Sequence, residues 1–223
     1  MAFRGIFLFL MLGSSLANPE DLSGKMFTFP TETDWAHVRI TTSKQSLEAA
    51  TVCLRFFTDI TRDFSLFSMA TPSHQNGFLI FKKQQVDEFQ VFVKNAMVTF
   101  NGQKYNTNTW QSVCCTWDSD TGLTQLWLNG SPSSRKFTSS ALFNEPIIIV
   151  LGQEQDSHGG RFDDQQSFVG MMSDLQMWDY ALDPDQIHSY NHHLNVTDGN
   201  VLTWGSLEFR KTDQVHIEEK EHE

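Results

Sequence analysis

Apolar and polar residues alternate along much of the chain. Val52, Leu54 and Phe56 alternate with Cys53, Arg55 and Phe57, and Phe89, Val91 and Val93 alternate with Gln90, Phe92 and Lys94. A period of two belongs to a strand, whose successive side chains point to opposite faces of a sheet. Repeated runs of this kind, broken by turn residues, predict an antiparallel β protein. Asn101-Gly102 and Asn129-Gly130 are type I′ hairpin signals, and the second directly follows the alternating stretch Thr124 to Leu128. The run Ile147 to Leu151 is apolar at every position, which predicts a central strand that delivers the chain into the next segment.

One segment leaves that period. Asp183 followed by Pro184 reads as an N-cap with proline at the first helical position, and Ile187, Tyr190 and Leu194 then fall at helical spacing. A short helix on one face of the sheets is expected. The stretch from Lys211 to Glu223 mixes acids and bases with few apolar residues, which predicts a frayed tail. With 19 Phe and 6 Trp to bury, two stacked sheets around an aromatic core account best for the pattern.

The start of the chain changes the picture of where the protein works. Arg4, an apolar run from Ile6 to Leu12, and small residues at Ser15 and Ala17 have the form of a secretory leader. Residues 1–17 are therefore expected to be a signal peptide, with a single domain over 18–223 and a secreted, extracellular product. The apolar run is far shorter than the roughly 20 residues a membrane-spanning helix needs, so no membrane insertion is expected.

Charge narrows the partners. The chain carries 16 Lys and Arg against 27 Asp and Glu, a formal net charge of −11, with no basic cluster ahead of its mixed tail. Phosphate backbones need clustered Lys and Arg, so nucleic acid is not an expected partner. Excess acid suits a hard cation, and equally a well-solvated surface. Three cysteines, Cys53, Cys114 and Cys115, predict one disulfide in an oxidising compartment. Neighbours on a strand face opposite ways, so Cys114 and Cys115 cannot both meet Cys53. The remaining thiol is either buried and inert or available for an interchain bond.

The chemistry concentrates in Gly152 to Ser167, GQEQDSHGGRFDDQQS, which packs Glu154, Asp156, Asp163 and Asp164 with several amides into a glycine-broken segment. Calcium takes six to eight oxygens from carboxylates, amide carbonyls and backbone carbonyls, and this segment offers all three. Gly159 and Gly160 let the chain fold back, so that Asp163 and Gln166 can approach Glu154 and Asp156. The spacing is not that of an EF-hand, so a site would be built from distant pieces. Glu154-Gln155-Asp156 also matches the start of a glycosidase E-x-D-x-x-E pattern, but Ser157, His158 and Gly159 follow where the second acid would stand, which leaves a two-carboxylate mechanism without its proton donor.

Weaker signals are few. His188 and His192 sit four residues apart on the expected helix beside His193, a spacing able to clasp zinc, with no Glu between them in the metalloprotease manner. Asn129 and Asn195 begin glycosylation sequons, Asn129 within the expected hairpin. No Ser, His and Asp arrangement suggests a nucleophile, so no catalytic residue is assigned.

Ser112-Val113-Cys114-Cys115-Thr116-Trp117-Asp118-Ser119 resembles the pentraxin signature H-x-C-x-[ST]-W-x-[ST], with Ser112 in place of the His. Phe27 to Pro30, Thr51-Val52-Cys53-Leu54, Leu151 to Ser157 and Met177-Trp178-Asp179 match the same family in order and separation. The resemblance spans essentially the whole mature chain. It implies an all-β, two-sheet antiparallel jelly-roll sandwich of lectin-like form, with one short helix on a face. It further implies a Cys53–Cys114 disulfide, two calcium ions per subunit, and a cyclic homo-oligomer, usually a pentamer. Carried over by position, the calcium ligands are Asn76, Glu154, the backbone carbonyl of Gln155, Asp156, Asp163 and Gln166.

Two departures predict weaker metal binding. Gln75 stands where the family pattern has Asp, and Asp163 where it usually has Glu, one methylene longer. Phe81 and Phe92 are the expected ligand-binding residues, with Met97 where phosphocholine-binding members have a Glu. The implied function is calcium-dependent pattern recognition in innate immunity, directed at phosphocholine, phosphoethanolamine or acidic glycans. The alternatives are a calcium-independent structural or protein-binding oligomer and, further off, a glycoside hydrolase.

Overall fold

The computed structural model describes residues 18–85, 87–194 and 197–220. The expected signal peptide and the sequon residue Asn195 lie outside them. In chain order the strands are β1 (Lys25–Phe29), β2 (Val38–Ile40), β3 (Ala49–Phe57), β4 (Phe64–Thr71), β5 (His74–Lys82), β6 (Phe89–Val93), β7 (Ala96–Phe100) and β8 (Gln111–Asp118). They continue with β9 (Leu123–Leu128), β10 (Ser131–Pro132), β11 (Lys136–Phe137), β12 (Ile148–Leu151), β13 (Gly170–Trp178), β14 (Phe209–Lys211) and β15 (His216–Glu219). The helix α1 (Pro184–Asn191) stands between β13 and β14.

Two antiparallel sheets form. One runs β10-β9-β8-β3-β13-β1-β15, with β11 also on β9; the other runs β14-β2-β12-β4-β5-β6-β7. Their facing residues make the main core: Val52, Leu54 and Phe56 of β3 meet Phe78 and Ile80 of β5 and Phe89, Val91 and Val93 of β6 within one buried cluster. Each such side chain contributes about 1.5–3 kcal/mol by leaving water. Aromatic rings meet edge to face, as Trp117 and Phe143 do at 5.2 Å. Among the described residues no helix is long and apolar enough to cross a membrane.

The helix makes a second, smaller core on the outer side of the first sheet. Ile187 and Tyr190 pack with Leu182, Trp127, Trp178, Cys53 and Cys114. Strand β3 is therefore covered on both faces rather than half-buried. Asp183 caps α1 as expected, accepting from Gln186 N at 2.8 Å while the Gln186 side chain returns to Asp183 N at 3.0 Å. Leu194 does not belong to the apolar face of the helix: α1 ends at Asn191 with His192 as its C-cap, and Leu194 is exposed.

Cys53 and Cys114 are bonded and are direct partners across β3 and β8. Cys115 points the other way into the main core and is fully buried, which removes the interchain alternative. Burial pushes its thiol well above the ordinary value.

Two further sequence expectations are corrected. The tail is not frayed over its whole length, because β14 pairs with β2 and β15 with β1, and Val215 between them is fully buried. Charged side chains hid these strands: an edge strand carries acids and lysines at little cost. Asn101-Gly102 makes no strand-to-strand hairpin; the turn in that region is Lys94-Asn95, joining β6 and β7 with φ of 51° and 66°. Two positive φ angles are the type I′ requirement, met here by Asn95 without glycine. Asn129-Gly130 does form its turn, with φ of 51° and 76° between β9 and β10. Strand β12 is central as expected, paired on both sides by β2 and β4.

Candidate functional site

The site stands on the outer face of the second sheet, opposite α1. Because Phe78, Ile80, Phe89, Val91 and Val93 point inward, the alternation of β5 to β7 turns Leu79, Phe81, Gln90, Phe92 and Met97 outward. Cross-strand register sets Leu79 beside Phe92, Phe81 beside Gln90, and Phe92 beside Met97. Phe81 and Phe92 thus lie on the outer side of the sheet, away from the core between the sheets, Phe81 buried and Phe92 half-buried.

The segment after β12 folds against this platform. Gly152 has φ +87°, and a Cβ there would come within 2.3 Å of the Phe29 ring, so only glycine fits. Gln153 Nε2 then donates to Thr33 O at 2.7 Å and Ala36 O at 3.0 Å. Gln155 is fully buried and its side-chain amide is committed: Nε2 donates to Ser68 O at 2.9 Å, and Oε1 accepts from Gly159 N at 3.0 Å. Only its backbone carbonyl is left to face a ligand. Ser157 and Gly160 exchange hydrogen bonds at 3.1 and 3.2 Å across the glycine turn. Asp163 caps a short 3₁₀ turn, Asp164–Gln166, by accepting from Gln165 N at 3.0 Å. Arg62 straps that turn by donating to the carbonyls of Gln165 and Ser167.

These constraints bring together residues distant in sequence. Asn76, Phe81, Phe92, Glu154, Asp156 and Gln166 line one cavity of about 210 Å³. Glu154 is only 4 % exposed. Burial, then the charges of Asp156 and Asp163, push its carboxyl up to about 7. A buried carboxylate beside two others is a cost that a cation would remove. Asn76 Oδ1 and Gln166 Oε1 are buried and accept no hydrogen bond from the described residues. Buried amide oxygens rarely stay unpaired, because leaving water without a partner costs about 1–3 kcal/mol. Oxygen acceptors from two amides, together with Glu154 and Asp156, form a hard donor set of the kind calcium takes.

Carboxylates alone would not suffice, since no three His, Cys, Asp or Glu among the described residues come close enough to hold a metal together. Gln75, at the position that departs from the family pattern, donates from Nε2 to Asp156 Oδ1 at 3.2 Å. Beside the carboxylates Lys83 sets its ammonium 5.4 Å from the centroid of the Phe81 ring and pairs with Asp63. Lys83, Asp63 and the Arg62 strap went unrecognised in the sequence, where each is an isolated charge without a motif.

A family model described as the Pentaxin family matches residues 25–219. The chain belongs to the pentraxin family. It is 38 % identical over 200 residues to human serum amyloid P-component, covering 88 % of each chain. Porcine C-reactive protein is 35 % identical over 215 residues, covering 94 % of this pentraxin and 95 % of the relative. A solved SAP-like pentraxin from Limulus polyphemus, described as heptameric, superposes with a TM-score of 0.80 at 26 % identity, over 88 % of this chain and 95 % of that one. The two-sheet sandwich is therefore that of a pentraxin.

Proposed function

We propose that this pentraxin is a secreted, non-catalytic recognition protein of innate immunity that binds phosphorylated or anionic groups on cell surfaces through calcium, as a cyclic oligomer. The observation that carries the reading is the pair of unpartnered buried oxygens, Asn76 Oδ1 and Gln166 Oε1, beside Glu154 and Asp156 in one cavity. Asn76, Glu154, the Gln155 carbonyl, Asp156, Asp163 and Gln166 would hold two ions per subunit, and calcium bound there supplies a positive charge for the anionic part of a ligand. Several such sites on one face of a ring gain avidity where ligands are dense, so weak single sites suffice. The family's usual ring is a pentamer, and the Limulus relative is described as heptameric.

Lys83 favours ligands without a quaternary ammonium. A cation already sits over Phe81, where a choline head would otherwise find its aromatic face, and Met97 supplies no counter-charge. Purified oligomer is expected to stay on phosphoethanolamine resin in calcium and to elute with chelator, with weaker retention on phosphocholine. Failure to bind either resin in calcium would overturn the reading. Lys83→Ala should raise retention on phosphocholine, since it bares Phe81 and releases Asp63.

A second reading, a calcium-independent structural oligomer, is favoured by the Gln75–Asp156 hydrogen bond, which occupies a ligand oxygen without metal. Titration calorimetry separates the two: absence of any calcium heat, in the wild type and in Gln75→Asp alike, supports the second.

A further inference from the structure

We propose that α1 carries a second metal site, for a borderline transition-metal ion such as Zn²⁺ or Cu²⁺, held by the imidazoles of His188 and His192. It lies on the face opposite the calcium site, and neither the family reading nor the proposed function assigns it.

Both residues are exposed and stand one helical turn apart, His188 in the last turn and His192 at the C-cap. Their ring centroids are 4.0 Å apart, with planes inclined by 36°. An ion bound at about 2.0–2.1 Å from each of two nitrogens in tetrahedral geometry needs those nitrogens roughly 3.3 Å apart. The centroid separation is of the same order, and rotation of both side chains about their own χ angles would converge one nitrogen of each ring on a shared ion. The pair is also oriented: His192 Nδ1 lies 2.9 Å from the backbone carbonyl of His188. A carbonyl oxygen only accepts, so Nδ1 carries a proton, which leaves Nε2 as the nitrogen that can take a metal. Fixing one ring nitrogen on a backbone carbonyl is how ligating histidines are commonly held.

The chemistry differs from that of the outer-face cavity. Imidazole suits zinc, copper and nickel, whereas calcium takes oxygen. No third His, Cys, Asp or Glu joins the pair among the described residues. The remaining coordination positions would therefore be filled by water, leaving an open site. Both side chains are exposed, so the pair can be altered without disturbing the core.

Calorimetric titration of the calcium-loaded oligomer with ZnCl₂ tests the assignment, alongside imidazole nitrogen NMR. One zinc per subunit is expected, with His188→Ala and His192→Ala each weakening it roughly tenfold or more and His158→Ala leaving it unchanged. Zinc should shift the His188 and His192 ring resonances while calcium remains bound. Binding that survives both substitutions, or that is lost in Glu154→Gln and displaced by excess calcium, would overturn the proposal by placing zinc at the calcium cavity.

Discussion

Glu154 concentrates the electrostatics of the site in one side chain. Its carboxyl, ordinarily near 4.5, is pushed up to about 7 by burial and then by Asp156 and Asp163. Between those values the folded metal-free protein holds a proton that the unfolded chain has released, so this group makes the apo fold more stable as pH falls and less stable as pH rises through 7. Calcium needs the ionised form, so its affinity should move the other way. Thermal melts in chelator at pH 5.5 and 8 should give a smaller pH difference for Glu154→Gln than for the wild type, and calcium titrations should weaken on acidification through 7. At the neighbouring position, Gln75→Asp adds one charge to the ligand set and removes the amide from Asp156. Calorimetry should find calcium roughly tenfold tighter in that variant and strongly weakened in Asp156→Asn.

At the scale of elements, the helix and the edge strands make separate predictions. The reciprocal Asp183–Gln186 cap stabilises an eight-residue helix too short to persist alone. Asp183→Ala should cost about 1 kcal/mol, lowering Tm by about 2–4 °C in a domain of this size, without altering calcium heats on the opposite face. Strand β15 closes the edge of β1, with Thr28 Oγ1 donating to Glu218 and Lys220 Nζ donating to Asp174 at 2.8 Å. Truncation after Lys211 should therefore lower Tm and promote aggregation through an uncovered β1, which light scattering on heating would detect. A frayed tail would leave both unchanged. The alternation that made β3 and β6 readable is absent from β14 and β15, which are three and four residues long and mostly exposed.

The whole molecule is held by one inter-sheet core and one covalent link beneath α1. The disulfide closes a sequence separation of 61 residues. Replacing Cys53 and Cys114 together by Ala should cost about 4 kcal/mol on the chain-entropy view, visible as a lower denaturant midpoint. Cys115, fully buried with its thiol pushed far above neutral, should not react with thiol reagents until the protein unfolds.

The features legible in one dimension were local and periodic: alternating strands, the Asp183 cap, the Asn129-Gly130 turn, and the acidic segment with its glycines. Those features depend on neighbours a few residues away, so they survive in one dimension. Whole-chain motif order further pointed to the family and to the cysteine pairing. Tertiary structure alone decided the rest. Asn76 and Gln166 become unpartnered oxygens only when β5 and the turn after Asp163 meet across about 90 residues of chain. Gln75 acquires its role only by reaching Asp156, and Lys83 only by lying over Phe81. An isolated charge or amide has no period, and its chemistry is set by what the fold places beside it.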